Sequence, residues 1–160
     1  MSRRLLVTLA LLAGLLPGVS APVAGAEGHE GFGAAMLREL NRVRGRHHLA
    51  SVREDGSMSR GAAAHSRDMA RHGYFAHGAW SGRVARASHS ANDLGEVLGW
   101  LARGNPAHEA AGMVRAWLNS PEHRHVLLDG HFSRIGIGRA TSRRGSEQTA
   151  LYTVDFASPH

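Results

Sequence analysis

The amino-acid sequence predicts an α+β domain in which helices precede a small antiparallel sheet. Apolar residues recur at helical spacing through most of the chain. Near the C-terminus they alternate with other residues instead, in segments 135–140 and 150–156, which predicts two strands joined by a turn at 143–146. Because the helices and the hairpin form separate blocks, we expect the helices to cover the sheet rather than to alternate with parallel strands.

The first two predicted helices are amphipathic. The first ends near Arg46, and the second starts at Ser57, a predicted N-cap, and ends at Gly73. His65 lies on the apolar stripe of the second helix, so we expect a hydrogen-bonded core histidine there. The apolar positions of the two stripes are Met36, Leu40, Val43, Met58, Ala62 and Met69.

Shorter elements are predicted in the middle of the chain. A short helix is expected around Arg83, and an extended segment at 94–100 carries Glu96. A longer helix then covers 107–119, and a short helical turn runs through Leu128. In the first strand of the hairpin, the glycine pair Gly136-x-Gly138 predicts close packing of a helix against the sheet.

The first 26 residues have the three parts of an export signal. A basic head with Arg3 and Arg4 precedes an apolar stretch at 5–16 and a small-residue cleavage site, Ala24-Gly25-Ala26. The apolar stretch is shorter than the roughly 18 to 20 residues of a transmembrane helix. We therefore expect residues 1–26 to be a signal peptide and residues 27–160 to be a secreted, extracytoplasmic domain. Cleavage after Ala21 and retention as an anchor are the alternatives.

Composition excludes several classes of protein. The chain has no cysteine, so neither a disulfide framework nor a thiolate metal site is possible. Its net charge is +6, and every basic residue is an arginine. These arginines are scattered and are not interleaved with stacking aromatic residues, so we do not expect nucleic-acid binding. The 134 residues left after removal of 26 suit one domain, which we expect to be a monomer.

His77, Glu96 and His123 are the candidate site residues, since each lies near the end of a predicted element. Two imidazoles and a carboxylate form a ligand set that leaves a fourth position open on Zn²⁺. Without metal, a carboxylate beside an imidazole makes a base and its orienting partner. A buried polar network that only stabilises the fold is the third interpretation.

Other histidines are weaker candidates. His123, His125 and His131 lie close together in the sequence, but residues two apart on a helix point to different sides, which disfavours a shared metal ion. The chain also lacks an obvious nucleophile, since it has no cysteine and Ser120 precedes a proline without flanking nucleophile-elbow glycines.

Six short motifs occur in a fixed order along the domain. They are Leu40-Asn41-x-x-Arg44, Tyr74-Phe75-x-His77, Gly95-Glu96, Trp117-x-Asn119-Ser120-Pro121-x-His123-Arg124, Phe132-x-x-Ile135-Gly136-x-Gly138 and Tyr152-Thr153-x-Asp155-Phe156. In this order and spacing the chain resembles a bacterial member of the CAP superfamily, which includes cysteine-rich secretory proteins, antigen 5 and plant pathogenesis-related proteins.

The resemblance implies a three-layer α-β-α sandwich with a central cleft that holds two histidines and two acidic residues. His77 and Glu96 match the first histidine and the first acid of that site. Leu151 stands where the second histidine of eukaryotic members is expected, and Ser120 stands at the second acidic position. The resemblance to the bacterial branch therefore makes His123 the candidate second imidazole and Glu122 a possible second acid.

Three functions follow from this resemblance and from the site residues. The first is a secreted binding module whose cleft holds a lipid, glycan or other envelope ligand. The second is a metal-dependent hydrolase acting on peptide or envelope polymer, with His77 and His123 as zinc ligands and Glu96 as a ligand or general base. The third is a structural or interaction protein.

Overall fold

The computed structural model describes residues 4–8, 29–89, 91–144 and 147–159. The predicted cleavage site and two residues of the hairpin turn, Gly145 and Ser146, lie outside the described residues. Among the described helices, none combines the length and the apolar character needed to cross a membrane.

A five-stranded sheet forms the centre of the domain. Its strands are β1 (Arg4–Thr8), β2 (Arg53–Glu54), β3 (Leu94–Ala102), β4 (Arg134–Arg144) and β5 (Glu147–Ala157). They are ordered β1-β3-β5-β4-β2 across the sheet. The central strands β3, β5 and β4 pair antiparallel, whereas β1 and β2 each add a parallel strand at an outer edge. The predicted hairpin and the predicted segment of Glu96 are thus confirmed, and β1 and β2 are additions that the alternation pattern does not show.

Five helices cover the two faces of this sheet. They are α1 (His29–Arg46), α2 (Gly56–His72), α3 (Trp80–Ala87), α4 (Pro106–Leu118) and α5 (Pro121–Leu127). Helices α1, α4 and α5 pack over one core, which contains Val97 and Tyr152 of the sheet. Helices α2 and α3 cover the other face, where Leu94, Leu98 and Leu151 are buried. The α+β class and the three-layer α-β-α sandwich are therefore confirmed.

The ends of α2 show which local signals set its position. Asp55, and not Ser57, is the N-cap, because its carboxylate accepts hydrogen bonds from the backbone N–H groups of Ser57 and Met58 at 2.8 and 3.1 Å. The prediction of Ser57 as the cap was wrong by two residues. At the other end Gly73 has φ 69°, the left-handed conformation that stops a helix, as predicted.

Two glycines of β4 let α2 lie directly on the sheet. A Cβ atom added to Gly136 would come within 2.3 Å of the Met58 carbonyl carbon, and one added to Gly138 would come within 2.2 Å of the Ala62 carbonyl carbon. No side chain fits between backbones this close. The predicted role of this glycine pair in helix packing is confirmed.

Candidate functional site

A short loop between α2 and α3 carries His77 to the sheet. Gly73 and Gly78 flank it with φ of 69° and 58°, conformations that only glycine adopts readily. Glu96 projects from β3 toward this loop, since its neighbour Val97 belongs to the core on the opposite face. The two side chains meet where both are buried, and His77 Nδ1 lies 2.6 Å from Glu96 Oε1. His77 and Glu96 are thus brought together, with Nδ1–H donating to the carboxylate.

Arg83 of α3 holds the second oxygen of the same carboxylate. Its Nη2 donates to Glu96 Oε2, and the same nitrogen lies 3.6 Å from Asp155 Oδ1. Burial lowers the pKa of Arg83, and the charge of Asp155 opposes this effect. The sequence pattern predicts Arg83 only as the centre of a short helix, and amphipathic spacing contains no signal for this contact.

Asp155 is the second carboxylate of the site. It lies directly across from Glu96 in the β3–β5 register and is fully buried. Neither carboxylate oxygen accepts a hydrogen bond from another described residue. Burial raises the pKa of Asp155 to about 7, while the charges of Arg83 and His77 pull it down. We call His77, Arg83, Glu96 and Asp155 the polar cluster.

Asp155 is a site residue that periodicity cannot find. Alternation in β5 places it on the strand face opposite Tyr152, which in a sheet with one solvated face would be exposed. Here α2 and α3 cover that face, so Leu151, Thr153 and Asp155 are all buried. The second acid of this site therefore comes from β5, and not from α5.

His65 fastens the loop from the α2 side. Its Nε2 lies 3.0 Å from the carbonyl oxygen of Ala76, the residue before His77, and the ring is buried. Burial, together with the charge of Arg83, lowers the pKa of His65 to about 4, so the imidazole is neutral at pH 7 and Nε2–H donates. The prediction of a hydrogen-bonded core histidine is confirmed.

His123 lies on a helix that packs in a different layer from Glu96. His123 is fully buried in α5, where its Nδ1 lies at hydrogen-bond distance, 2.8 Å, from the hydroxyl oxygen of Ser120. Helix α5 packs through Val126 and Leu127 on the face of the sheet that also buries Val97. Glu96 faces the opposite layer, because adjacent strand residues point to opposite sides. The convergence of His123 with the other two residues stays a prediction.

The expected second acid and the zinc ligand set are also not assembled. Glu122 is exposed on α5, and His131 is exposed beside Asp129. Across the part of the chain that the structure describes, no three histidine, aspartate or glutamate side chains are grouped so that they could hold a metal ion. His77, Glu96 and His123 therefore do not fit the three-ligand zinc centre that the residue types suggested.

Three aromatic side chains on the same face of the sheet as the polar cluster are only partly buried. Tyr74 and Phe75 precede His77 in the loop, and Trp100 follows Glu96 by four residues on β3. All three pack against a small core of Met69, Leu98 and Leu151. We call Tyr74, Phe75 and Trp100 the aromatic patch. Surface cavities of about 550 and 320 Å³ lie elsewhere, lined in part by Arg103 and Arg42 respectively.

The three-layer α-β-α sandwich and its polar cluster define a class of protein, and comparison with known proteins identifies that class. The model of the CAP family, described as the cysteine-rich secretory protein family, matches residues 37–156. The chain belongs to this family. The matched segment extends from α1 to the penultimate residue of β5, so it contains the whole polar cluster and the aromatic patch.

Similar proteins are found in several bacteria. The protein YlbC of Bacillus subtilis, described as an uncharacterized membrane protein, is 30% identical over 108 residues, which cover 64% of this chain and 30% of YlbC. An extracellular protein with an SCP domain from Bacillus anthracis is 27% identical, with a TM-score of 0.63 over 81% of this chain and 41% of that one. An outer surface protein from Borrelia burgdorferi shares the fold at 18% identity, with a TM-score of 0.70 over 89% of this chain and 100% of its own. The chain thus spans less than half the length of the two Bacillus proteins.

Proposed function

We propose that this protein is an extracytoplasmic binding module for a cell-envelope ligand. The aromatic patch contacts the ligand, and the polar cluster fixes the loop that carries two of its three rings. The observation that carries this proposal is the engagement of both Glu96 oxygens, one by His77 and the other by Arg83, in a fully buried position.

A cluster with this geometry supports positioning better than catalysis. The carboxylate of Glu96 has one partner from the loop and one from α3, so it ties both segments to β3. His65 adds a further bond to the loop at Ala76. A loop held at two consecutive residues presents its neighbouring side chains in a fixed arrangement, and such preorganisation reduces the entropy lost on binding.

The aromatic patch has the chemistry of a ligand-contacting surface. Large rings supply contact area with few rotatable bonds, and they pack equally well against acyl chains and the apolar faces of sugar rings. Leu151 lies under this patch, at the position where eukaryotic relatives were expected to have a histidine. A leucine at this position cannot act as an acid or a base, which favours binding over acid–base chemistry.

An extracytoplasmic location is supported by two independent features. Residues 1–26 have the pattern of an export signal. The solved structures with the same fold include proteins described as an outer surface protein and as an extracellular protein. Both features support a ligand among the lipids and polymers that an exported domain meets.

Cosedimentation tests the proposal with two probes: purified insoluble peptidoglycan, and vesicles of phosphatidylglycerol and phosphatidylcholine. We expect retention on one of them, reduced at least about tenfold by Trp100→Ala combined with Phe75→Ala. Leu37→Ala is the matched control, because this partly buried apolar residue lies on the opposite layer. Equal retention of all three proteins, or retention on neither probe, contradicts the proposal. Release of soluble fragments from peptidoglycan that requires Glu96 would favour the hydrolase instead.

A further inference from the structure

The edge of β3 that faces β1 differs in length and polarity from the edge of the sheet formed by β2. At the far side the sheet ends in β2, which has two residues, Arg53 and Glu54, both charged and exposed. Short, charged edge strands are a common protection against unwanted pairing. On the opposite side β1 is the outermost strand, and it covers the edge of β3 at Leu94–Leu98, which is longer and mainly apolar. In the described part of the chain this edge is paired only with β1.

Strand β1 shows how this edge accepts a partner. Five consecutive residues pair in parallel register, from Arg4 opposite Leu94 to Thr8 opposite Leu98. The pairing stops at Leu98, whose carbonyl oxygen accepts the indole N–H of Trp117 at 2.8 Å. The edge therefore has a defined length of five residues and a defined end.

The segment that fills this edge belongs to the predicted signal peptide. Removal of residues 1–26 would take β1 away and leave the backbone N–H and C=O groups along Leu94–Leu98 without their strand partner. An exposed, mainly apolar edge of this length pairs readily with an extended chain, a mode of recognition in which main-chain hydrogen bonds supply the affinity.

We propose that Leu94–Leu98 is a strand-accepting edge that Arg4–Thr8 occupies in the whole chain. Once export removes residues 1–26, it takes up an extended apolar segment of another exported protein in parallel register. The proposal rests on that predicted cleavage. A partner segment fits better than a second copy of this chain, because the seated strand runs parallel to β3, whereas a two-fold axis perpendicular to the sheet would pair two β3 strands antiparallel.

This edge is also continuous with the polar cluster. Glu96 is the central residue of the five-residue register, and its side chain holds His77 and Arg83. A strand that orders the backbone at Glu96 therefore acts on the residue that fixes the loop and the aromatic patch. Resonances of the His77 ring should respond when the edge is filled, which gives a readout at the cluster itself.

The test uses a fluorescent peptide with the sequence of residues 2–10 and chains with and without residues 1–26. All three hydrophobic cores are built from residues between Phe32 and Ala157, so the shorter chain retains a complete core. We expect it to bind the peptide, with slower amide exchange at Leu94–Leu98 and a shift of the His77 resonances. The whole chain should bind roughly tenfold more weakly or worse, since its own tethered segment competes at an effective concentration of about 1 mM.

A second arm keeps the whole chain intact. Leu6→Pro removes a backbone N–H and fixes φ in the middle of β1, so it should release the edge and restore peptide binding, whereas Leu6→Val should not. The proposal is overturned if the chain without residues 1–26 folds natively but does not bind the peptide, and the Leu6→Pro chain does not bind it either. Protection at β2 overturns it as well. So does concentration-dependent dimerisation that protects Leu94–Leu98 without peptide, which would assign the edge to a second copy.

Discussion

Asp155 shows, at the scale of a single residue, how the polar cluster depends on its surroundings. A carboxyl group with no exposed surface and no hydrogen-bond partner among the described residues is costly to ionise. The nearby guanidinium of Arg83 only partly offsets this cost, so the pKa remains near 7. Glu96, one strand away, has direct partners on both oxygens. The two carboxyl groups, which lie opposite each other in the β3–β5 register, therefore have different roles. Glu96 accepts hydrogen bonds from His77 and Arg83, whereas Asp155 keeps its proton up to a pH near 7.

This difference predicts how stability depends on pH. The pKa of Asp155 rises from an ordinary value of 3.8 to about 7 on folding, so the folded protein retains a proton that the unfolded chain releases. Its contribution is complete below pH 3.8 and is lost as the pH rises toward 7, with a linked free energy on the order of 4 kcal/mol. Asparagine cannot ionise, so in Asp155→Asn we expect the free energy of unfolding not to show this decline with rising pH. Urea unfolding of both proteins between pH 4 and 8 measures it, and parallel curves would contradict the assignment.

Helix α2 determines, at the scale of an element, where the site can form. It carries His65 in its C-terminal half, and the loop with His77 follows it after Gly73. Its distance from the sheet is fixed by Gly136 and Gly138, because the backbones of α2 and β4 approach too closely for any side chain between them. A small outward movement of α2 would separate His65 from Ala76 and His77 from Glu96.

Gly138→Ala tests this dependence. The added methyl group would meet the backbone of Ala62 at 2.2 Å, so the helix must move, and we expect a loss of roughly 1 to 3 kcal/mol in the free energy of unfolding. Gly45→Ala is the matched control, since nothing lies within 4 Å of the new methyl group and alanine favours a helix. Thermal unfolding should show a lower Tm for the first variant and an unchanged or higher Tm for the second. Equal Tm values would refute the close packing.

The sheet separates two polar environments at the scale of the whole molecule. His77 and its partners lie under α2 and α3, while His123 lies in α5 beside the core that contains Val97. Five strands of backbone lie between the two layers. Interactions across such a packed sheet are indirect, so these two histidines should contribute to stability independently.

A double-mutant cycle with His77→Ala and His123→Ala measures this independence. We expect each single variant to be destabilised and the double variant to equal their sum within about 0.5 kcal/mol, as for sites without shared partners. Denaturant unfolding of the four proteins supplies the values. A coupling energy well above about 1 kcal/mol would show that the two imidazoles share a site after all, and it would revive the zinc ligand set.

The sequence by itself determined the class of fold, the main helices, the hairpin and the His77–Glu96 half of the site. Periodicity indicates which faces of the helices and strands are apolar. Gly73 marks the end of a helix, and Gly136 marks a close approach between a helix and the sheet. The order of the short motifs was also sufficient to indicate the family that the comparison later confirmed.

Only the tertiary structure decided which polar residues meet. Whether Asp155 faces water or a helix depends on the layer placed over β5, and whether His123 reaches Glu96 depends on the side of the sheet on which α5 packs. Neither fact is local, because each results from the packing of elements far apart in the sequence. The physical reason is that alternation assigns a residue to one of two faces, while the fold determines what covers each face.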